Sequence, residues 1–556
     1  MFATRILRLA LVRRRISSIP RSLPSAALAL VVAVACSRSP DASPGGAAKG
    51  ATRAPSRPVT ITNVMIIDGT GASTISGAVR IVGDTIADVG SEVESAPGDS
   101  VIDGRGMIVA PGFIDTHSHH ASGLGDSPDA RAAVSQGITT VVGGQDGGAP
   151  MPLGARLDSL QQQGTVINVA YYAGHGSIRD AVMGKDFKRP ATAAEVDAMG
   201  KLLKRELDAG ALGLSTGLEY DPGIYSDRAE VLQLAKVAAA EKTRYISHVR
   251  SEDRWFWDSI DEILTIGREA HLPVQIAHVK LAMIPLWGRA DSLIRTLETA
   301  RAQGVDVTAD IYPYPYWQST LTVLFPKRDF DNRAEAEKIL KEIAKPEGLL
   351  LGNYLPNPSY AGKTVAEIAK ERKEAPAVTL MTLIRDAEAM RAEREKKGED
   401  GETVESVVAT SMDEKDIAKL MAWPHTNICS DGSLDGAHPR GYGAFTRVLG
   451  RYVREQKVVS LEEAIRKMTT LSAKHVGITR RGMLAPGAYA DLVLFDPNTV
   501  IDNATTKDPH ALSTGIASVW VNGQEVWRDG KGTGARPGTV IRRQQQRPDL
   551  PSPEGR

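Results

Sequence analysis

Four histidines and one aspartate stand at the ends of segments whose composition predicts buried β-strands. His117 and His119 lie in GFIDTHSHH and face the same side, because side chains alternate along a strand. His248 and His278 end the segments YISH and VQIAH, 30 residues apart, and Asp431 follows NICS. Imidazole nitrogens and carboxylate oxygens that converge on one place are typical ligands of zinc. The pattern therefore predicts a zinc site.

Such a site predicts hydrolytic chemistry. Zinc lowers the pKa of a bound water to about 7 and polarises the carbonyl group that is to be cleaved. A carboxylate beside this water can accept its proton and pass it to the leaving nitrogen, and Asp431 is the candidate for that role. His120 and His271 do not follow the strand-end pattern, so we do not count them as ligands.

The segments that carry these residues alternate between strand and helix patterns. Helical patterns such as Arg228–Lys242 and Asp258–Ala270 separate the apolar, β-branched runs. The runs end near Asp115, Gly143, Tyr172, Ser215, Ser247, Ala277, Asp310 and Ser430. Eight strand–helix units predict an α/β protein with a TIM-like (β/α)8 barrel, whose functional groups lie at the carboxyl ends of the strands.

Two β-rich regions flank the predicted barrel. Short alternating segments such as VTITNVMIID come before it, and similar segments return at Tyr489–Asp496 and Ala517–Trp527. They predict a small β-sandwich domain formed from both chain ends, residues 59–110 and 480–532, with the barrel occupying residues 111–479.

The interval before the last barrel strand is too long for a single helix. Residues from about 325 to 424 are charged and helical in pattern, as in RAEREKKGEDGE, and predict a helical insertion over the barrel mouth. The charge run itself is typical of a solvent-exposed face. Residues 533–556 show no such pattern and are expected to form a loose tail.

The N-terminus has the features of an export signal. Several arginines precede an apolar run, Ala26–Ala35, which is about half as long as a membrane-spanning helix. The run ends in AVAC, which resembles the lipobox of bacterial lipoproteins and would make Cys36 the lipidated first residue of the mature chain; an ordinary cleaved signal is the alternative. Residues 1–36 are the predicted signal segment, and 37–58 a flexible linker. We expect an exported, periplasmic or outer-membrane lipoprotein of a bacterium.

The composition excludes other partners. Lys plus Arg and Asp plus Glu both number 67 in 556 residues, so no basic field indicates nucleic-acid binding. Cys429 is the one cysteine besides the candidate lipidation site, which excludes a disulfide framework. Contact with a membrane is expected only through the lipid anchor, and the sequence does not specify an oligomeric state.

Several of these segments resemble the amidohydrolase superfamily, namely PGFIDTHSH, MLAPGAYADLVLFD and the ordered strand-end His, His, Asp series. A closer resemblance covers nearly all of residues 59–530. The segments GALGLSTGLEYDPG, ISHVRSE, VQIAHVK, DIYPY and SDGSLDGAHPRGYGAF are similar to those of D-aminoacylases, the N-acyl-D-amino-acid deacylases. The resemblance implies zinc-dependent hydrolysis of N-acyl-D-amino acids, small molecules with a free carboxylate.

The resemblance also implies a role for each matching residue. It implies one tightly held zinc, a second site held weakly by the HxH pair, and Asp431 as general acid and base. The implied metal ligands are His117, His119, His248 and His278.

Candidate substrate-binding residues follow from the same motifs. Lys280 and Tyr220 match positions that hold the substrate carboxylate or polarise its carbonyl, whereas Tyr312 and Ser319 fall in the segment that matches the substrate loop. Two cations near the predicted mouth suit bidentate pairing with a carboxylate, although each has a structural ion pair as the alternative. These cations are Arg250 and Arg440.

One position departs from the family pattern. The second strand of D-aminoacylases usually ends in a cysteine whose thiolate binds zinc, whereas this chain reads VVGGQDGGAP and has Asp146 there. A carboxylate can bind or bridge zinc, so Asp146 is the candidate metal ligand, with a hydrogen bond to the histidines as its alternative role. Gln145 is a poor ligand, and Cys429 comes before Asp431 on another strand.

Two other functions are compatible with these residues. One is an amidohydrolase that cleaves dipeptides or cyclic amides. The other is a lipid-anchored binding protein that lost its chemistry together with the cysteine, although the retention of all four histidines and Asp431 argues against it.

Overall fold

The computed structural model describes residues 57–125, 127, 129–399 and 403–549, which belong to one compact unit. The predicted signal segment and its candidate lipidation site, Cys36, lie outside the described residues. Among the helices that are described, none is long and apolar enough to cross a membrane.

Both ends of the chain contribute to one nine-stranded sheet. Its strands are β1 Val59–Ile66, β2 Ile75–Val82, β3 Thr85–Gly90, β4 Ser100–Asp103, β5 Ile108–Pro111, β18 Leu492–Phe495, β19 Ile516–Val521, β20 Gln524–Arg528 and β21 Lys531–Gly532. The N–H of Ile86 in β3 also donates to the carbonyl of Ala488, before β18, so the sheet curls around a core that includes Ile61, Val79 and Trp520. The predicted β-domain from both chain ends is therefore present, as a continuous curled sheet.

The middle of the chain forms eight parallel strands. They are β6 Phe113–Asp115, β7 Ile138–Gly143, β8 Asn168–Tyr171 with its short continuation β9 Ala173–Gly174, β10 Leu214–Gly217, β11 Tyr245–His248, β12 Val274–Ile276, β13 Val307–Ile311 and β17 Thr426–Ile428. The circle closes beyond β17, where the N–H of Asp431 donates to the carbonyl of His117 and the N–H of His119 to that of Gly432, both at 2.9 Å. All eight predicted strand ends lie within two residues of the observed ones.

Fifteen α-helices connect and cover these strands in the described part of the chain. They are α1 His120–Gly123, α2 Arg131–Val134, α3 Leu153–Gln163, α4 His175–Met183, α5 Ala193–Asp208, α6 Arg228–Ala240, α7 Phe256–Ala270, α8 Ala290–Ala302, α9 Arg333–Glu342, α10 Val365–Arg372, α11 Pro376–Lys397, α12 Glu414–Ala422, α13 Arg440–Arg447, α14 Leu461–Met468 and α15 Thr470–Val476. A π-helix, Val448–Glu455, follows α13 without a break.

An insertion separates β13 from β17 and contains a sheet as well as helices. Its three antiparallel strands are β14 Tyr316–Ser319, β15 Leu349–Tyr354 and β16 Glu405–Thr410, with β16 in the centre. Helices α9, α10 and α11 pack together beside them. The predicted insertion is present with its helices, and it also contains a small sheet that the sequence did not indicate. Strand β14 precedes residue 325, and β15 and β16 are too far apart in sequence to give a hairpin signal.

Residues 533–549 lie along the amino end of β8 and do not form the loose tail that the sequence suggested. The N–H of Val169 donates to the carbonyl of Thr539 at 3.0 Å, and the N–H of Ile541 donates to the carbonyl of Val169 at 2.8 Å. The side chain of Ile541 is buried in an apolar cluster with Val476. This segment therefore closes the floor of the barrel.

Candidate metal centre

Two aspartates face the pair of histidines that follows β6. Oδ2 of Asp146 lies 3.3 Å from Nε2 of His117 and 3.2 Å from Nε2 of His119. Oδ1 of Asp431 lies 3.4 Å and 3.2 Å from the same two nitrogens. These side chains follow β6, β7 and β17, so the closed barrel brings them to one point at its carboxyl end.

Asp146 also faces a second pair of histidines. Its Oδ1 lies 3.4 Å from Nε2 of His278 and 4.0 Å from Nδ1 of His248, and these two nitrogens are 3.1 Å apart. The two oxygens of one carboxylate therefore face two different pairs of imidazoles. The structure thus brings together all the metal ligands that the sequence suggested, together with Asp431.

The spacing of these atoms suits zinc. Ligand atoms about 2.1 Å from a tetrahedral zinc are about 3.4 Å apart, and the contacts described above span 3.1–4.0 Å. Oδ1 of Asp146 is buried and has no hydrogen-bond partner among the described residues. A buried carboxylate oxygen of this kind is costly unless a cation or a donor satisfies it. The donor set therefore fits a metal centre.

The charges of the site are tightly coupled. Burial alone lowers the pKa of His119, but hydrogen bonding to Asp146 and Asp431 outweighs it and raises the pKa to about 10. Burial opposes ionisation of Asp146, yet His117 and its neighbours hold the pKa of this carboxyl well below its usual range. Without a metal the cluster therefore holds protons, and a metal ion would displace them.

The backbone turns sharply at three residues of the site. Asp146, His278 and Asp431 adopt φ values of 54°, 34° and 49°, a left-handed region that non-glycine residues seldom occupy and that is often found at functional sites. The backbone of Asp146 also leaves no room for a side chain at Gly217, because a Cβ on Gly217 would lie 2.1 Å from the Asp146 carbonyl oxygen. This close approach explains the glycine that ends β10.

A cavity opens beside the metal ligands and is lined by most of the predicted substrate-binding residues. The hydroxyl of Tyr220 lies 3.2 Å from Nδ1 of His248. The guanidinium of Arg440 is 2.6 Å from Oδ2 of Asp431 and lies over the ring of Tyr312. The predicted residues that line this cavity are Tyr220, Lys280, Tyr312, Ser319 and Arg440.

Comparison with known proteins identifies the family. A sequence model described as the amidohydrolase family matches residues 100–344 and 363–527, well over half of the chain. The chain belongs to the amidohydrolase family. Two curated relatives from Alcaligenes xylosoxydans xylosoxydans are an N-acyl-D-glutamate deacylase, which is 37% identical, and a D-aminoacylase, which is 33% identical. Each alignment covers 86% of this amidohydrolase. It covers 95% of the N-acyl-D-glutamate deacylase and 96% of the D-aminoacylase. The predicted resemblance to D-aminoacylases is therefore confirmed.

Solved structures agree with this placement. The N-acyl-D-glutamate deacylase of Bordetella bronchiseptica, solved with zinc and a phosphonate mimic of the tetrahedral intermediate, superposes with a TM-score of 0.76 at 36% identity. A D-aminoacylase studied for its binuclear metal centre also gives a TM-score of 0.76, at 33% identity. Each comparison covers 87% of this amidohydrolase and 99% of the other chain.

Two glutamates support the histidines of this amidohydrolase and were not predicted. Oε2 of Glu219 is 3.0 Å from Nε2 of His248. Oε1 of Glu252 is 3.0 Å from Nδ1 of His278 and 2.6 Å from Nζ of Lys280. Carboxylates in such positions orient metal-binding imidazoles. Glu219 lies in the motif LEYDPG and Glu252 in the motif HVRSE. The sequence alone did not reveal them, because a glutamate beside a candidate ligand has no distinct chemical role until its contacts are known.

Arg250 does not reach the cavity, so its assignment to substrate binding is wrong. Its Nε and Nη2 each donate to the carboxylate of Glu262 at 2.8 Å, and its Nη1 donates to the carbonyl of Ser226. After β11 the chain turns away from the mouth, which directs this side chain toward α7. Arg250 instead forms a structural ion pair with Glu262, the alternative that the sequence left open.

The residues that were not assigned as ligands lie apart from the metal-binding groups found among the described residues. Nε2 of His120 is 2.9 Å from the carbonyl of Gly441, and the buried Sγ of Cys429 lies 3.1 Å from Asp310. The side-chain amide of Gln145 donates to the carbonyl of Thr116. These contacts are those of structural residues.

Proposed function

We propose that this amidohydrolase hydrolyses the amide bond of N-acyl-D-amino acids in a zinc-dependent reaction. The observation that carries the proposal is the convergence of four histidines and two aspartates at the carboxyl end of the barrel, beside a cavity that is lined by two cations. The cluster supplies the ligands of a hydrolytic metal, and the cations suit a substrate carboxylate. The deacylase and D-aminoacylase relatives support the same reaction.

Two of the three candidate metal positions among the described residues adjoin each other at Asp146. Asp146 and Asp431 stand with His117 and His119 at one of them, and Asp146 stands with His248 and His278 at the other. We propose that Asp146 bridges the two positions, in place of the cysteine found in D-aminoacylases. When bound, zinc supplies a water of pKa about 7 and polarises the amide carbonyl.

Asp431 is the proposed carrier of the proton. The pKa of its carboxyl lies far below the usual range, because Arg440 and the neighbouring histidines outweigh the effect of burial. The carboxylate is therefore ionised and able to accept a proton from the attacking water. It then protonates the leaving nitrogen, so that a free amino acid and a carboxylic acid are released.

The substrate carboxylate is proposed to lie between two cations. Nζ of Lys280 and the guanidinium of Arg440 both border the ring of Tyr312, at 5.5 Å and 4.7 Å from its centroid. The hydroxyls of Tyr220 and Ser319 line the same cavity and are suitable donors to a carboxylate or to the acyl oxygen. This arrangement holds the substrate by its charged end and leaves the amide beside the metal ligands.

A substrate panel tests the proposal. Zinc-loaded protein is offered N-acetyl-D-amino acids, their L-enantiomers, dipeptides and hydantoins, and the release of amine or of ring-opened product is measured. We expect turnover of the D-series and none by His278→Ala, which should also lose zinc. Preferred hydrolysis of dipeptides or hydantoins would reassign the substrate. If zinc-loaded wild-type protein turned over none of these compounds, the alternative of a non-catalytic binding protein would be favoured.

We also propose that the chain is exported as a lipoprotein anchored at Cys36. The support is the basic, short apolar N-terminal segment that ends in AVAC. Several acyl chains hold a protein firmly on a membrane, whereas one binds only marginally. The mature chain should begin at this cysteine and partition into detergent, and Cys36→Ser should be found in the aqueous phase. A mature N-terminus elsewhere refutes the anchor without affecting the enzyme.

A further inference from the structure

A buried histidine outside the metal centre connects the insertion to the start of α13. His438 is 2% exposed and lies in the loop between β17 and α13. Its Nε2 lies 2.8 Å from the carbonyl oxygen of Tyr316 in β14, and its Nδ1 accepts the backbone N–H of Arg440 at 3.0 Å. The backbone N–H of His438 donates to Oε1 of Gln318, also in β14, at 2.9 Å. The imidazole is therefore held by one partner from each element.

These contacts determine which ring nitrogen of His438 carries the proton. A carbonyl oxygen only accepts hydrogen bonds and a backbone N–H only donates them, so Nε2 is protonated and Nδ1 is not. Burial and the neighbouring Arg440 hold the pKa of this imidazole well below its usual range, in agreement with a neutral ring. The ring lines a polar opening beside His119 and Asp431. Because both of its nitrogens are occupied, however, it has no polar atom left for a substrate.

The N–H that His438 accepts belongs to the first residue of a helix. Helix α13 begins at Arg440, and the first N–H groups of a helix have no acceptor within it. Pro439, which precedes the helix, makes no side-chain capping hydrogen bond, so the acceptor comes from the ring one residue earlier. The guanidinium of Arg440 lies 2.6 Å from Oδ2 of Asp431. His438 thus fixes the backbone of a residue whose side chain lines the reaction cavity.

The imidazole also packs among three tyrosines. Its ring centroid lies 6.1 Å from that of Tyr312, 5.2 Å from that of Tyr314 and 4.8 Å from that of Tyr316. Tyr312 is the residue whose ring lies under the guanidinium of Arg440. Packing alone would give His438 a purely structural role, which variants of the two ring nitrogens separate from the hydrogen bond to Arg440.

We propose that His438 is a positioning residue for the substrate carboxylate. Its Nδ1 holds the N–H of Arg440 and thereby keeps the guanidinium between Asp431 and that carboxylate. The inference rests on the proposed function, in which Arg440 and Lys280 bind the carboxylate. Without this acceptor the first turn of α13 has a buried N–H with no partner, and a shift of the turn that satisfies it moves the guanidinium as well.

Two substitutions separate the two nitrogens. The side-chain amide of asparagine ends at the position of Nδ1 of histidine, whereas that of glutamine reaches the position of Nε2. His438→Asn therefore keeps an acceptor for Arg440 and loses the donor to Tyr316, and His438→Gln does the reverse. His510→Gln is the matched control, because Nε2 of the exposed His510 lies 3.0 Å from the carbonyl oxygen of Gly436 in the same loop.

The experiment measures binding of a carboxylate and of its neutral counterpart. Zinc-loaded protein is titrated by calorimetry with N-(methylphosphonyl)-D-alanine, which is not cleaved, and with its carboxamide, which lacks the carboxylate. KM and kcat are measured for N-acetyl-D-alanine, whose methyl side chain demands little space. Kd and KM do not depend on the folded fraction, and the calorimetric stoichiometry reports that fraction.

His438→Gln should raise the Kd of the carboxylate compound, and KM, by about 10-fold, the usual effect of one unsatisfied buried donor. The Kd of the carboxamide should not change, and kcat should fall by less than KM rises, because Asp431 keeps its contacts with His117 and His119. His438→Asn and His510→Gln should bind both compounds as wild type does.

An unchanged Kd in His438→Gln overturns the inference. Equal losses in His438→Gln and His438→Asn also overturn it, since they assign the effect to packing among the tyrosines. Equal losses for the carboxylate and the carboxamide would show a general distortion of the site. Wild-type protein that neither binds the phosphonyl compounds nor hydrolyses any N-acyl-D-amino acid would refute the proposed function itself, and with it the carboxylate that Arg440 holds.

Discussion

Asp146 and Asp431 contact the same two histidines, but their remaining oxygens face different partners. The second oxygen of Asp146 faces His278, whereas that of Asp431 contacts Arg440 at 2.6 Å. A carboxylate between two histidine pairs is suited to bridging metals. In Asp431, the contact of Oδ2 with Arg440 holds Oδ1 beside the first histidine pair, where it could exchange a proton with a water at the metal position. Strand-end spacing suggested the role of Asp431, whereas the role of Asp146 was suggested by the resemblance to D-aminoacylases, which have a cysteine at this position.

The proton-transfer role predicts the effect of Asp431→Asn. Loss of a general acid and base lowers rate by about 10²–10⁴-fold, so kcat should fall by that range while KM and the zinc at His248 and His278 change little. Asp435→Asn, at an exposed position of the same loop, is the control and should retain activity. An altered KM with an intact kcat would assign Asp431 to substrate binding instead.

The bridging role predicts the metal content of Asp146 variants. Metal analysis should give two ions per wild-type chain in excess zinc and at most one in Asp146→Ala, because each pair of histidines loses a ligand. Asp146→Cys should restore binding through its thiolate, whereas Asp146→Asn should not. A full complement of metal in Asp146→Ala would make the carboxylate a hydrogen-bonding neighbour only, for which a loss of about 10–100-fold in affinity is typical.

At the scale of elements, the strand–helix repeat was predictable because each unit carries its own apolar run. The sheet of the insertion was not, since its strands are distant from one another in sequence. One buried carboxyl ties this sheet to the cavity: both oxygens of Glu405 in β16 accept the N–H of Leu321 at 3.1 Å, at the start of the turn that carries Leu324.

Glu405 predicts a pH dependence of stability. Burial raises the pKa of its carboxyl from 4.5 to about 7, against the opposing effects of the Leu321 N–H and of Arg391. The folded protein therefore keeps a proton that the unfolded chain releases, so this contribution is complete below about pH 4.5 and is lost as the pH rises to about 7. Relative to Glu405→Gln, the free energy of unfolding in urea should fall by up to about 1.4 kcal/mol for each pH unit in that window.

The control for this measurement is Glu337→Gln, which changes an exposed glutamate of the same insertion. Its difference from wild type should stay constant over the same pH range. A constant difference for Glu405→Gln as well would show that the carboxyl is already ionised in the folded protein.

At the scale of the whole molecule, the chain ends hold the barrel from two sides. The β-domain was predictable because both ends repeat the same alternating pattern. The floor of the barrel was not, because residues 538–541 pair with β8 through backbone groups and present only one buried side chain, Ile541. Arg481, Asp491, Asn522 and Asn168 form a further buried polar network between the β-domain and β8.

Ile541 provides a test of whether this floor contributes to stability. Its side chain is 7% exposed and packs with Leu212, Val476 and Ile478, so Ile541→Ala should cost about 2–5 kcal/mol of unfolding free energy, the usual range for such a truncation. Val540→Ala, at the neighbouring half-buried position, is the matched control and should cost clearly less. Because the metal ligands lie at the opposite, carboxyl end of the strands, kcat/KM of the folded Ile541→Ala enzyme should equal that of wild type. Equal losses of stability in the two variants would mean that the segment is held by its backbone hydrogen bonds alone. A loss of activity without a loss of stability would mean that the floor of the barrel is coupled to the metal site.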